Sequence, residues 1–192
     1  MSFDDPYSLV FLDVETNGRH GAPFWWAISH HVRRPGARAS REAAALSVRT
    51  PIAGRVDSWV AANVPESGGQ VVPPGEFHQR YADAWRDIVT AWPSTLMIVE
   101  TGIPVESRFL WEVCRHTGLG EPYPVLDLPS MIHVQVAAEP GMTIGSADYL
   151  AMVGATEDLP EGTAHDPLYD ARLTGRAYLE LTARMAPMGW KR

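Results

Sequence analysis

Two periodicities alternate along this chain. The runs LVFLDVET (residues 9–16) and PFWWAISHHV (residues 23–32) are apolar and rich in strand formers, and the polar turn NGRHGAP parts them. They predict two strands. RRPGARASREA is polar and reads as a loop, and ALSVRT together with SWVAANV reads as a third strand. PESGGQVVPPG is a Gly/Pro connector. From Glu76 to Trp92 the period changes, with Phe77, Tyr81, Trp85 and Ile88 spaced by three and four. That spacing predicts an amphipathic helix, which Pro93 ends. STLMIVE reads as a buried strand and PVESRFLWEVCRHTG as a helix with Pro104 near its start and Gly118 at its end. YPVLDL reads as a short strand and SADYLAMVGA as a helix. The last helix starts near Asp166, which can cap it, carries Pro167 in its first turn and runs to about Met185. Strands followed by alternating strands and helices predict an α/β domain with a mixed sheet flanked by helices.

The length, 192 residues, suits one domain spanning 1–192 with a substantial core. Cys114 is the only cysteine, so no intramolecular disulfide can form; this fits a reducing, cytoplasmic setting. No apolar run approaches the roughly 20 residues that span a bilayer, and MSFDDPYS lacks a signal peptide's basic and apolar regions. A membrane partner is therefore not expected. The net charge of −7 disfavours a non-specific duplex coat. An acidic protein can still hold nucleic acid where cations neutralise its site. All basic residues except Lys191 are arginine, a compositional bias to which no function is attached.

The acids change the picture most. DVE is the sole D-x-E in the chain, and in a strand Asp13 and Glu15 project from one face. Such a pair repels unless a cation lies between the two, and hard divalent ions such as Mg²⁺ suit all-oxygen ligands. The alternative is a strand end whose acids reach solvent. A second signal is HDPLYDARLTG, where Asp170 stands about one turn inside the final helix and His165 just before it. A carboxylate in a first turn is favoured by the helix dipole, and a loop-edge histidine can act as a base. HQRYAD repeats the same His–Asp spacing with His78 and Asp83, but inside an amphipathic helix, where both are expected at the surface. A third signal is VETGIPVESRFL, in which Glu106 opens a helix and Glu100, at the strand end, competes with it.

Other residues carry weaker readings. Trp25 and Trp26 could stack on bases, although at least one of an adjacent strand pair is expected in the core. Arg33, Arg34, Arg38 and Arg41 form a basic loop that either contacts a nucleic-acid backbone or is merely solvated. His30 and His31 face opposite ways in a strand and are rejected as a metal pair. Cys114 reads as a small buried hydrophobe.

In order, these pieces resemble the DnaQ-like 3′–5′ exonucleases, the DEDDh group of the ribonuclease H-like fold. DVETNG fits the first motif, D-x-E-T-x-G, and HDPLYDARLTG fits the last, H-x-x-x-x-D before a long helix. The middle motif departs: where the family has H-N-x-x-x-D, this chain has Thr101-Gly102 and then Glu106. The likeness spans roughly residues 7–182. It implies a metal-dependent exonuclease acting on a single-stranded DNA or RNA 3′ end. It implies two divalent ions, Mg²⁺ or Mn²⁺, held by Asp13, Glu15, Glu106 and Asp170, with His165 as general base. Thr16, Asn17, Arg19 and His20 would face the substrate, with Arg19 and His20 standing where the family often has an apolar contact to the terminal base. Small stand-alone members are often homodimers, so a homodimer is also expected. The rival readings are a catalytically weakened nucleic-acid-binding module and a proofreading subunit.

Overall fold

The computed structural model describes residues 6–35, 37, 39–100, 105–120, 125–136 and 142–185. Six strands form one mixed sheet: β1 (Tyr7–Thr16), β2 (Pro23–Arg33), β3 (Arg41–Arg49), β4 (Gln70–Val71), β5 (Thr95–Val99) and β6 (Val125–Asp127). Their spatial order is β4-β3-β2-β1-β5-β6. β1, β2 and β3 are successively antiparallel, while β5 pairs parallel to β1, β6 to β5 and β4 to β3. This is the expected α/β architecture.

The central strand β1 is apolar on both faces because helices cover both. Val10, Leu12 and Val14 point into a core with Phe77, Tyr81 and Trp85 of α2 (Pro74–Ala91) and Phe109 and Val113 of α3 (Ser107–Thr117). Leu9 and Phe11 point the other way. They pack with Leu128 and Ile132 of α4 (Leu128–Val136), Leu150 of α5 (Ser146–Met152), and Ala177 and Leu181 of α6 (Pro167–Met185). Trp26 anchors the first core: its indole N–H donates to the Phe77 carbonyl at 3.2 Å and its ring meets Tyr81 edge-on. α3 ends at Gly118 in the left-handed conformation, as its position in the pattern predicts.

Four expectations need correction. SWVAAN is not a strand but helix α1 (Ser58–Asn63). Asp57 accepts the Trp59 N–H at 2.8 Å as a cap, and Val60 and Val64, one turn apart, bury together against Phe24 and Trp25. The third strand starts at Arg41, inside the predicted loop, because its pairing with β2 resumes after a register shift at His30/His31. The connector PESGGQVVPPG contains β4 and the start of α2. LPSMIHVQV forms α4, which the pattern did not single out. The Asp127 carboxylate takes the Ser130 N–H at 2.9 Å and starts that helix directly from β6.

Candidate active site

Asp13 and Glu15 continue the row of Leu9 and Phe11, on the face that α6 covers. They extend past the last β1–β5 pair, Leu12 with Val99, so both stand at the carboxyl-terminal edge of the parallel pair. α6 reaches this edge with its first turn. Gly175 and the fully buried Ala171 let it approach closely; a Cβ on Gly175 would lie 3.0 Å from the Phe11 ring. Asp170 thereby joins the β1 acids. Glu106 arrives from the opposite layer at the entry to α3, only 2 % exposed. Asp13, Glu15, Glu106, Asp170 and His165 all line one cavity of about 690 Å³.

The acids burden one another. Burial, then the nearby Glu106, Asp170, Glu15 and Glu100 charges, push the Asp13 carboxyl well above the usual carboxylate range. Burial, followed by Asp170, pushes Glu15 up to about 8. Burial raises Glu106 to about 8 and Asp170 to about 7, the latter against the N–H that His165 donates to it. One oxygen of Glu106, Oε2, is buried with no hydrogen-bond partner among the described residues. Ligand atoms of Glu15, His165 and Asp170 lie within 4.8 Å of one another. Four carboxylates lining one cavity, one of them with a buried oxygen unpartnered among the described residues, offer the oxygen ligands that suit hard divalent cations.

His165 is held in an uncommon backbone conformation, φ 66°. Its N–H donates to Asp170 Oδ2 at 2.8 Å, while Asp166 Oδ1 caps the helix through the Leu168 N–H at 2.9 Å. His165 Nδ1 lies 3.4 Å from Glu15 Oε1, with the side chain 40 % exposed. Its ring meets Trp59 edge-on, centroids 4.8 Å apart.

Not every expected site residue faces the cavity. Thr16 and Arg19 line it. Asn17 is occupied elsewhere: its side chain accepts the Asp57 N–H at 2.8 Å and donates to the Arg55 carbonyl at 3.0 Å, tying the β1–β2 turn to the α1 approach. His20 is exposed and contributes its carbonyl to Arg108 at 2.8 Å. Trp25 and Trp26 are both fully buried, so neither offers a ring to a base. Of the predicted basic loop, the described Arg33 and Arg41 have separate roles. Arg33 is 5 % exposed and bonds the Ala37 carbonyl and the Thr182 hydroxyl, and Arg41 belongs to β3. Arg38, Thr101 and Gly102 lie outside the described residues. His30 and His31 do part, toward Ser8 and toward Ser29 and Ser40. The HQRYAD pair lies in α2: Asp83 is at the surface beside Arg86, while His78 is half-buried, stacked on His116 and 3.6 Å from Glu112. Cys114 is only partly buried, with its Sγ on the Gly120 carbonyl.

Trp59, on a segment taken for strand, and Asp57, just before that segment, line the cavity without having been singled out in the sequence, and Glu100, the acid that competed with Glu106, lines it too. The β-sheet order and the helices on both faces define a ribonuclease H-like fold, with the acids gathered at the β1 edge. No family model and no curated protein matches the sequence. Among solved structures, the chain is similar to the nuclease domain of 3′hExo, a DEDDh family member bound to rAMP. The TM-score is 0.63 at 10 % identity, over 98 % of this chain and 94 % of that one. Exonuclease X in complex with 5′ overhanging duplex DNA gives 0.56 at 17 % identity, over 95 % and 94 %. An exonuclease I from Methylocaldum szegediense gives 0.64 at 16 % identity, over 94 % of this chain and 41 % of that one. At such identities the likeness establishes the fold, and the chemistry rests on the residues.

Proposed function

We propose that this chain is a metal-dependent 3′–5′ exonuclease that hydrolyses terminal phosphodiester bonds of single-stranded nucleic acid. The observation that carries the reading is the convergence of Asp13, Glu15, Glu106 and Asp170, from β1, the α3 entry and α6, around one cavity that also contains His165. These four carboxylates would hold two divalent ions, Mg²⁺ or Mn²⁺. Bound there, such ions would neutralise the acids, polarise the scissile phosphate and lower the pKa of an attacking water. Glu106 stands where the resemblance expects aspartate, and its Oε2, unpartnered among the described residues, supports a ligand role despite the longer side chain.

His165 supplies the base. With Nδ1 turned toward Glu15, Nε2 is the ring nitrogen that would accept the proton from water. The strained backbone at His165, worth on the order of 1–3 kcal/mol, supports a positional role, because Asp170 both joins the acids and fixes that backbone. Trp59, 48 % exposed at the cavity wall, offers a flat face to the terminal base, and Arg19 offers a cation to the adjoining phosphate. The neighbours named above were solved with a ribonucleotide in one case and duplex DNA in another, so both sugars enter the test.

The experiment is degradation of matched, 5′-labelled DNA and RNA single strands with Mg²⁺ or Mn²⁺ and with a chelator. Stepwise shortening from the 3′ end, abolished by chelation, is the expected result. Binding without shortening under all conditions would instead favour a nucleic-acid-binding module. We further propose a homodimer; light scattering at 21.1 kDa across working concentrations would reject it.

A further inference from the structure

The carboxylate that the nuclease reading leaves unused is Glu100. Along β5, Leu96 and Ile98 face α6, and the two-residue period turns Glu100 the same way. Because Leu12 pairs with Val99, Glu100 adjoins Asp13 across the strands, and its charge acts on Asp13, Glu106 and Asp170 alike. Yet its oxygens are occupied. Oε1 accepts the Ser146 N–H at 2.8 Å, and Oε2 accepts the hydroxyls of Ser146 and of Thr174, the latter at 2.8 Å. Ser146 and Thr174 are both 0 % exposed. Gly145 makes room: a Cβ there would lie 2.8 Å from Oε1. Glu106 differs, since one of its oxygens has no partner among the described residues.

We propose that Glu100 is a positioning residue, a strut that joins β5 to the start of α5 and to α6 and so sets where Asp170 stands. Thr174 lies one turn beyond Asp170 on α6, so the bond to Glu100 fixes the rotation and height of the turn that presents the ligand. An ionised carboxylate suits the task, because three donors directed at one acceptor make charge-assisted bonds that are stronger than neutral ones. Removing it leaves two buried hydroxyls and an amide without their partner. Glu100 also forms the wall between the acidic cavity and a neighbouring one that contains Asp127 and His133, so the same strut separates the two spaces.

The kinetic part of this inference rests on the exonuclease reading; its structural part does not. The variants are Glu100→Ala, Glu100→Gln, Gly145→Ala and Thr174→Val. Hydrogen–deuterium exchange on the metal-free proteins should show faster exchange over residues 146–150 and 167–175 in Glu100→Ala, with 107–117 unchanged, and faster exchange in α6 alone in Thr174→Val. Glu100→Ala and Gly145→Ala should lower kcat by roughly 10–100-fold with KM nearly constant, the range for residues that orient metal ligands. Glu100→Gln should recover most of the loss, because its carbonyl oxygen can still take the Ser146 N–H while the two hydroxyls turn to accept from its amide NH2. If Glu100→Gln is as damaged as Glu100→Ala and binds Mn²⁺ equally weakly, Glu100 is itself a ligand and the proposal is wrong. Wild-type exchange in α6 for Thr174→Val overturns it too, and that variant decides the matter if Glu100→Ala does not fold. A wild-type protein that degrades no oligonucleotide would sink the exonuclease reading, while the exchange data would still judge Glu100.

Discussion

Glu15 and His165 come from opposite ends of the chain, and their side chains stand 3.4 Å apart, with Asp170 holding the histidine's backbone N–H at 2.8 Å. Two carboxylates and a histidine thus form one unit across β1 and α6. If His165 is the general base, His165→Ala should lower kcat by roughly 10²–10⁴-fold. Isothermal titration with Mn²⁺ should show the ions still bound, because the carboxylates remain. His78→Ala is the control. It removes a half-buried ring from the α2–α3 contact and should cost stability but not turnover. Equal kinetic damage from both variants would defeat the assignment.

Asp13→Asn should remove detectable cleavage while the metal-free protein becomes more stable. Burial and four neighbouring acids disfavour the charge at this position, so the neutral amide relieves repulsion. The melting temperature should rise, at about 2–4 °C per kcal/mol for a chain of this size. A lower melting temperature together with lost activity would mean that Asp13 supports the fold directly.

The raised carboxyls fix the sign of a pH dependence. Glu15 and Glu106 titrate near 8 and Asp170 near 7 when folded, against unshifted values of 4.5, 4.5 and 3.8. Between those limits the folded state binds more protons than the unfolded one. Stability of the metal-free protein is therefore fullest below the unshifted values and falls as pH rises through the folded ones. Mn²⁺ should reverse the loss, most strongly at the alkaline end. Thermal melts across this range, with and without Mn²⁺, check it; a metal-free protein that gains stability from pH 5 to pH 8 contradicts the buried cluster.

Trp59→Ala should weaken substrate binding more than chemistry. Base–aromatic stacking is worth about 1–3 kcal/mol, so KM for a short single strand should rise by roughly 5–150-fold. Part of any fall in kcat would come through the edge contact between Trp59 and His165. An unchanged KM would show that the exposed ring does not meet the base.

Much of the candidate site was legible because its signals are local. The period of two fixes that Asp13 and Glu15 share a face, and Asp166 and Pro167 fix the start of α6 and hence the turn that holds Asp170. Glu106 was legible as a helix-opening acid. What its carboxylate does was not, because Glu100 ends a strand six residues earlier with an equal claim. The tertiary structure separates the two by their partners: Ser146 and Thr174 occupy Glu100, whereas Glu106 Oε2 has none among the described residues.

The sequence by itself determined the layers, the central strands β1, β2 and β5 and the acids at the β1 edge, since period, capping and turn chemistry act over a few residues. Only the tertiary structure decided the rest. Trp25 and Trp26 sank into cores on opposite faces of β2, a consequence of having packed layers on both sides. Trp59 reached the cavity because Asp57 caps a helix in a segment whose composition reads equally as strand. Asn17, beside the strongest motif in the chain, turned to a loop forty residues on, and no local rule foretells which backbone groups a side chain will meet once distant segments are brought together.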